Sequence, residues 1–313
     1  MNDRELSENI GIKMSTITSI KNRLRASGVF RKANIPAYYR LGYTLLSASM
    51  TGTDLGDADV QGGGLPGTAA VFRVRDPLGC FVLAVHKGYE DYRTFADRLD
   101  NIAGNGSDRH CGPWHHHIYV LRDGERVVEF DFTNAVSTAF RSNVSDRHPA
   151  VRLDGEPYEV RRKVVRKALS TLIAMPEAQA ISLVGPIGLT RQSITKTMHM
   201  LRRKGIIGRS ALVDPRAIGM ELVAVTKLRF AGDGTKKKNG AALRKAIDSI
   251  EGVVRPFWYF VFGEDHILLS CHANYDTFVG TMAEIRKIKG VSGPRAHVFG
   301  TRGGNVRYEF GVG

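Results

Sequence analysis

The sequence predicts an α+β protein made of two tandem copies of one plan, a plain or winged helix-turn-helix unit followed by a ferredoxin-like body with the order βαββαβ. Three observations lead to this fold class. Residues 188–205 have the pattern of a helix with one apolar and one basic face, and the pattern also occurs 177 residues earlier. Strands and helices then recur in the same order after each copy.

The stretch G-L-T-R-Q-S-I-T-K-T-M-H-M-L-R-R-K-G (188–205) predicts one helix with a buried face. Its apolar residues, five, four and three positions apart, share that face: Leu189, Ile194, Met198 and Leu201. Thr190 can cap the N-terminus, and Gly205 supplies a left-handed stop. The opposite face carries side chains that donate to base edges or phosphates: Arg191, Gln192, Thr195, Lys196 and His199. This is typical of a recognition helix, although a surface helix with a solvated basic face shows the same pattern.

The same pattern occurs twice, because residues 10–46 align with residues 187–223 without a gap at an offset of 177. The identical pairs are buried positions and turn glycines, such as Gly11/Gly188, Ile17/Ile194, Leu24/Leu201 and Gly28/Gly205. The exposed positions differ, since the first copy carries the shorter side chains Ser15, Thr16, Ser19 and Asn22. The two copies therefore predict one scaffold with two different reading surfaces.

The net charge of +14 is concentrated in two segments. Residues 1–46 hold eight Lys/Arg against three acids, and residues 156–216 hold twelve against four, so they carry 13 of the 14 charges. Two basic heads on nearly neutral bodies indicate a polyanionic partner, double-stranded DNA. A membrane surface is the rival partner, but neither helix has the large aromatic face that it requires.

The first copy lacks a helix that the second copy has. Residues 158–173 predict a full helix before the second turn, whereas residues 4–10 predict only one short helix before the first. A trihelical DNA-binding unit needs that first helix to close its core. A mis-assigned start, a truncation and a helix supplied from elsewhere are all compatible with the pattern.

The bodies begin with strands at 44–50 and 222–230. A Lys-rich loop (236–238) and a helix at 241–250 follow in the second body, where the first body has a polar, Gly/Asp-rich stretch. The bodies converge again at an offset of 186, in a strand and helix at 83–104 and 269–290. Final hairpins are predicted at 115–132 and 295–312. The expected units are residues 1–42, 43–133 (a degenerate body), a linker at 134–156, 157–216 and 217–313.

Composition predicts a cytoplasmic protein without a membrane partner. No apolar run is long enough to span a bilayer, and the N-terminus lacks the regions of a signal peptide. Three cysteines form no paired framework, which fits a reducing cytosol.

Histidines offer two further possibilities. Cys111, His115 and His117 have metal-capable side chains, although no C-x-x-C spacing accompanies them, and a solvated strand start is the favoured interpretation. His86 and His272 recur at equivalent strand ends beside Tyr89 and Tyr275, where they either cap the strand or contact an effector. The first alternative is preferred.

The layout resembles the feast/famine (Lrp/AsnC) family of regulators. The resemblance rests on I-G-L-T-R-Q-S-I-T-K-T-M-H-M-L-R-R-K-G-I-I with D-P-R-A-I-G, on the weaker copy I-G-I-K-M-S-T-I-T-S-I-K-N-R-L-R-A-S-G-V-F, and on F-G-E-D-H-I-L-L-S at 262–270. It implies a RAM-like (ACT-like) ligand domain and a small effector such as an amino acid. The effector residues would be Gly263, Asp265, His272 and Tyr275, in the second body. The first body has P-L-G-C where the second has G-E-D-H.

We therefore expect a transcriptional regulator that acts as a pseudo-dimer within one chain, with no catalytic residue, metal or cofactor. The basic residues predicted to hold phosphates are Arg23, Arg25, Lys32, Arg202, Arg203, Lys204 and Arg209. Two alternatives stay open: a fused enzyme resembling sirohaem decarboxylases, and an architectural nucleoid protein without an effector. Assembly into larger oligomers is also open.

Overall fold

The computed structural model describes residues 4, 7–8, 11–51, 67–75, 78–103, 116–140, 151–153, 156–160, 162–230, 239–301 and 306–308. The helices are α1 (Met14–Ala26), α2 (Tyr89–Ala103), α3 (Thr133–Ala139), α4 (Lys163–Ala174), α5 (Val184–Ile187), α6 (Arg191–Arg203), α7 (Asn239–Val254) and α8 (Tyr275–Lys287). The strands are β1 (Phe30–Pro36), β2 (Leu45–Thr51), β3 (Thr68–Arg75), β4 (Leu78–His86), β5 (His116–Val120), β6 (Gly124–Val128), β7 (Val151–Arg152), β8 (Ile207–Val213), β9 (Leu222–Phe230), β10 (Trp258–Phe262), β11 (Asp265–His272), β12 (Val291–Gly300) and β13 (Val306–Tyr308).

Helices α4, α5 and α6 pack around one apolar core, and we call this unit the second head. The core includes Leu169, Leu172, Ile187, Ile194 and Leu201. The predicted N-cap is confirmed, since the Thr190 side chain accepts a hydrogen bond from the backbone N–H of Ser193. The predicted stop is confirmed as well, because Gly205 has a φ of 60°. Local sequence signals therefore set both ends of α6.

Helix α1, which we call the first head, is much less enclosed than its counterpart α6. Ile17 is its one fully buried residue, and Leu24 is partly buried where the equivalent Leu201 is 0% exposed. Met14 is 54% exposed. Arg4, Ser7 and Glu8 are helical and fall inside the predicted helix 4–10, whose other residues lie outside the described ones.

A two-stranded antiparallel ribbon, β1 paired with β8, joins the two heads. Ala33 pairs with Ser210 at its centre, and these residues are equivalent under the offset of 177. A pseudo-twofold axis therefore passes through this pair. The extended segments after the two helices pair with each other, so they do not form the wing that was one option in the predicted fold.

The two bodies contain equivalent antiparallel sheets. The strand order is β13-β3-β4-β2-β5 in one sheet and β12-β9-β11-β10-β6-β7 in the other. Leu45 pairs with His86 in the first, and Leu222 pairs with His272 in the second. The offsets of 177 and 186 found in the sequence therefore also relate the strand registers.

The predicted final hairpins are wrong, because the last strand of each body joins the sheet of the other. β6 pairs with β10, and β13 pairs with β3. The Asp123-Gly124 dipeptide is a strong hairpin signal, but Leu121–Asp123 forms a single 3₁₀ turn that redirects the chain. Alternation of polar and apolar residues identifies a strand and not its partner, so the exchange left no sequence signal.

The segment predicted as a linker at 134–156 is partly regular. Helix α3 occupies its beginning, and Ala135 of this helix belongs to the main core. β7 near its end pairs with β6. The Gly/Asp-rich stretch of the first body and the Lys-rich loop at 236–238 lie outside the described residues.

The sheets pack against each other through a core rich in aromatic residues. Phe72 lies 6.5 Å from Phe257, and Phe81 lies 6.4 Å from Phe299, measured between ring centroids. Helices α7 and α8 cover the six-stranded sheet, and α2 covers the other. No helix in the described part of the chain combines the length and apolar character needed to cross a bilayer.

Candidate nucleic-acid interface and ligand clefts

The polar face of α6 is open to solvent. Its exposed residues are the five that the sequence singled out: Arg191, Gln192, Thr195, Lys196 and His199. The Thr195 hydroxyl donates to the Arg191 carbonyl at 3.0 Å, within the helix. Arg191 and Lys196 form no ion pair with any described residue, so both cations are available to an external anion. We call this set the α6 face.

The equivalent face of α1 carries fewer cationic side chains. Ser15, Thr16, Ser19, Asn22 and Arg23 are all exposed, as expected. At the offset of 177, however, four cations of the second head become uncharged residues: Arg191, Lys196, Arg203 and Lys204 correspond to Met14, Ser19, Ala26 and Ser27. The two heads therefore present unequal surfaces to one partner.

Three of the residues predicted to hold phosphates have partners within the protein or are partly enclosed. Arg25 Nε lies 3.2 Å from Glu177 Oε1, and Lys204 Nζ lies 4.3 Å from the centre of the Tyr158 ring. Arg202 is partly buried, and burial and Arg209 lower its pKa. The sequence could not show these contacts, because Glu177 and Tyr158 lie far from α1 and α6 along the chain.

The ribbon between the heads carries a cluster of like charges. Lys32 and Arg209 are exposed. Burial lowers the pKa of Lys32, and the nearby Arg25, Lys21 and Arg209 lower it further, while Glu177 acts in the opposite direction. The positive charges around Lys32 that lower its pKa would be offset by a bound anion. Arg23 and Arg203 are exposed at the ends of the two helices.

A cleft of about 380 Å³ lies where the second body meets the first, and we call it the Asp265 cleft. Asp265 Oδ1 is 3.5 Å from Arg229 Nε, and Asp265 Oδ2 is 3.8 Å from Lys227 Nζ. Lys227 Nζ is 3.4 Å from His117 Nδ1 of the first body. The register shift in β12 between Ser292 and Arg295 adds both residues to the lining. Three cations therefore outnumber one carboxylate in this cleft.

The four predicted effector residues do not come together. Gly263, with a φ of 60°, precedes Asp265 at the start of β11. His272 lies at the other end of that strand, about 24 Å away at the usual rise, and Tyr275 is 63% exposed on α8. The Asp265 cleft includes neither His272 nor Tyr275 in its lining.

His86 and His272 are enclosed strand-end residues. The His86 Nε2 atom lies 2.7 Å from Ser47 Oγ, and the His272 Nε2 atom lies 2.8 Å from Ser270 Oγ. Burial lowers the pKa of both imidazoles to about 4. This geometry suits a neutral, internally bonded side chain and supports the interpretation as strand-end caps.

The structure describes one of the three metal candidates. Cys111 and His115 lie outside the described residues, and His117 lines the Asp265 cleft beside Lys227. Within the described residues, no group of three or more His, Cys, Asp or Glu side chains is placed to hold a metal.

Three cationic residues of the Asp265 cleft were not predicted from the sequence: Lys227, Arg229 and Arg295. Lys227 and Arg229 are the two charged residues of the largely apolar strand V-A-V-T-K-L-R-F, a signal that was available in the sequence.

No family model and no curated protein matches the chain. Similar solved structures include AsnC from E. coli, with 14% identity over 45% of this chain and 92% of that one, and a TM-score of 0.37. A feast or famine regulatory protein from M. tuberculosis, complexed with L-methionine, has 19% identity over 44% of this chain and 89% of that one, and a TM-score of 0.37. The siroheme decarboxylase NirDL, in co-complex with an iron-uroporphyrin III analogue, has 13% identity over 98% and 88%, and a TM-score of 0.48. At these identities and TM-scores, the similarity carries no functional weight.

Proposed function

We propose that this chain is a sequence-specific, DNA-binding transcriptional regulator that acts as a pseudo-dimer. In this proposal α4 to α6 form a helix-turn-helix, α1 is the recognition helix of a second one, and each is followed by a ferredoxin-like, RAM-like body. The observation that carries the proposal is the exposed α6 face on a fully packed three-helix head, tied to α1 by a ribbon with a pseudo-twofold axis. The proposal assigns no catalytic step and no cofactor.

The α6 face would enter the major groove of the duplex. Arg191 can bind a guanine edge and Gln192 an adenine edge through two hydrogen bonds each. Arg23, Lys32, Arg203 and Arg209 are exposed and positively charged, so they suit the phosphates on either side. The ribbon fixes the two heads relative to each other, which would set the spacing of the contacted grooves.

The inequality of the heads predicts an asymmetric operator, with one strict and one permissive half-site about a helical turn apart. Arg191→Ala or Gln192→Ala should relax base preference in the strict half alone, since one bidentate contact discriminates by about 1–3 kcal/mol. Ser15→Ala, at the position equivalent to Gln192, is the matched control and should change the selected consensus little. Selection from a random duplex library, followed by footprinting at fixed salt, measures both halves.

Two results would count against this. Failure of the protein to select any discrete site would refute sequence-specific regulation. Two equally strict inverted half-sites, bound by a single chain as judged by the mass of the complex, would refute the unequal roles of the heads.

We further propose that the Asp265 cleft binds a small effector such as an amino acid. Lys227, Arg229 and Arg295 suit its carboxylate, and Asp265 suits its ammonium group. At this cleft His117 of the first body contacts Lys227 of the second body. A ligand bound there would therefore act on the relative placement of the two bodies. The effector is expected to alter the affinity for DNA through this link.

An amino acid that occupies this cleft should raise the thermal midpoint. At about 100 times its Kd it adds about 2.7 kcal/mol to the stability of the folded state. A panel of amino acids in a thermal shift assay tests this, with Arg229→Gln expected to abolish the shift. Arg286→Gln, at an exposed position on α8, is the matched control. If no amino acid changes either the midpoint or the DNA affinity, the alternative of an effector-independent architectural protein is favoured.

A further inference from the structure

A second cleft separates the first body from the second head, and we call it the hinge groove. It has a volume of about 690 Å³, within the range of small-molecule pockets. One wall comes from Leu41, Gly42, Tyr43 and Lys87, next to the first body, and the other from residues 157–160 and α4 of the second head. A backbone hydrogen bond from Tyr158 N–H to the Arg40 carbonyl joins the two walls.

The floor of the hinge groove is apolar. Tyr43 and Leu169 are buried at 6% and 2% exposure, and Leu41, Tyr158 and Val160 are partly buried around them. An apolar floor that is open to solvent on one side favours an apolar ligand group over water.

The rim of the hinge groove is cationic. Lys163, Arg166, Lys167 and Ser170 follow the helical spacing of three and four, so they share the face of α4 that lines the groove. Lys87 adds a cation from the first body, and Glu159 is the one acid among the described residues of the lining. Lys163 and Lys167 form no ion pair with any described residue. Four cations against one acid leave a positive rim that an anion would neutralise.

We propose that the hinge groove is a binding site for an amphipathic organic anion, in which an apolar chain or ring lies on the tyrosine and leucine floor and a terminal carboxylate or phosphate meets the lysines of α4. The site is separate from the Asp265 cleft, with which it shares no lining residue.

The effect of a bound anion on DNA binding rests on the proposed function. The groove lies between a body and the head that carries the α6 face, so its ligand would bridge the two and favour one orientation of that head. By linkage, a ligand that prefers one orientation changes the affinity for DNA, and DNA changes the affinity for the ligand by the same factor. The anion should also bind the protein in the absence of DNA, so its binding can be measured without DNA.

The test is isothermal titration of the full chain with four probes below their micelle concentrations: decanoate, decyl phosphate, decanol and inorganic phosphate. Decanoate and decyl phosphate supply both the chain and the charge, and whichever binds more tightly distinguishes a carboxylate from a phosphate ligand. Decanol lacks the charge and inorganic phosphate lacks the chain. Each of these two should bind at least about tenfold more weakly than the better amphipathic anion.

Two variants place the binding in the groove. Lys163→Gln with Lys167→Gln should weaken the better anion by about tenfold or more, and Ser170→Phe should block it by filling the groove from an exposed helix position. Lys245→Gln, at an exposed position on α7, is the matched control and should bind as the parent does. The thermal midpoint of each variant without ligand reports whether it is folded.

The proposal is overturned if neither amphipathic anion binds, or if binding survives both groove variants. It is also overturned if the double lysine variant loses DNA affinity in the absence of any ligand, since the rim would then be a DNA contact. A parent protein that binds decanoate but no DNA would refute the proposed function and leave the groove site standing. A protein that binds DNA but none of the probes would refute the groove site and leave the proposed function standing.

Discussion

Reversing the charge of Lys196 and Arg203 should lower the affinity for any duplex by about a hundredfold at 0.1 M salt. Each phosphate contact contributes about 0.9 to the slope of log affinity against log salt concentration. If the contacts add nothing at about 1 M salt, losing two of them lowers the affinity at 0.1 M salt by about sixtyfold. Repulsion between the new carboxylates and the phosphates adds to the loss. Both residues are exposed on α6, so the Lys196→Glu, Arg203→Glu variant should fold as the parent does.

The matched control makes the same change in net charge elsewhere. Lys245→Glu with Lys289→Glu alters two exposed positions of the second body and should leave both affinity and salt slope close to those of the parent. Fluorescence anisotropy over a salt series, with circular dichroism to establish folding, gives both quantities. Equal losses in the two variants would show that net charge, and not the α6 face, controls binding.

Much of the second head could be predicted from local sequence, because its determinants are local. The spacing of Ile194, Met198 and Leu201 identifies the buried face of α6, and Thr190 and Gly205 mark its ends, while Leu189 precedes the helix and packs against the same core. The registers of the two sheets follow the offsets read from the sequence. The exchange of β6 and β13 could not be predicted, since a strand of given alternation pairs equally well with its own sheet or with its neighbour.

The candidate sites were predictable to a lesser degree, because they depend on residues brought together from distant parts of the chain. The exposed residues of α6 follow from helix geometry alone. The Arg25–Glu177 contact joins the two heads, and the Lys227–His117 contact joins the two bodies, so neither has a local signal. The hinge groove also needs walls from both halves. Of these walls the helix α4 was predicted, but the predicted helix began at residue 158, whereas residues 158–160 are not helical and α4 begins at Lys163.

The buried histidines should make the protein unstable in acid. His86, His266 and His272 are 2%, 0% and 5% exposed, and burial lowers the pKa of each to about 4. Asp91 acts in the opposite direction on His86, and Asp265 does so on His266. His266 Nδ1 lies 2.6 Å from the Tyr259 hydroxyl, so all three imidazoles are held in enclosed, hydrogen-bonded positions.

The sign of the effect follows from the order of protonation. The folded pKa of each imidazole lies below its ordinary value of 6.5, so the unfolded chain takes up protons first as the pH falls. Stability from this source is complete above pH 6.5 and is lost as the pH falls towards 4. Each histidine contributes a loss of up to roughly 3 kcal/mol. Three such losses are comparable with the roughly 5–15 kcal/mol that stabilises a typical protein, so the free energy of unfolding should fall steeply as the pH approaches 4.

Urea midpoints measured between pH 7.5 and 5 test this directly. The parent midpoint should be flat at the upper end and fall steeply below pH 6.5. His272→Gln keeps a polar group near Ser270 Oγ but removes one titrating site, so its midpoint should start lower and fall less on acidification. His199→Gln removes an exposed imidazole from the α6 face and serves as the control, with a pH dependence like that of the parent. If His272→Gln loses stability with pH as steeply as the parent does, protonation of His272 does not drive the acid transition.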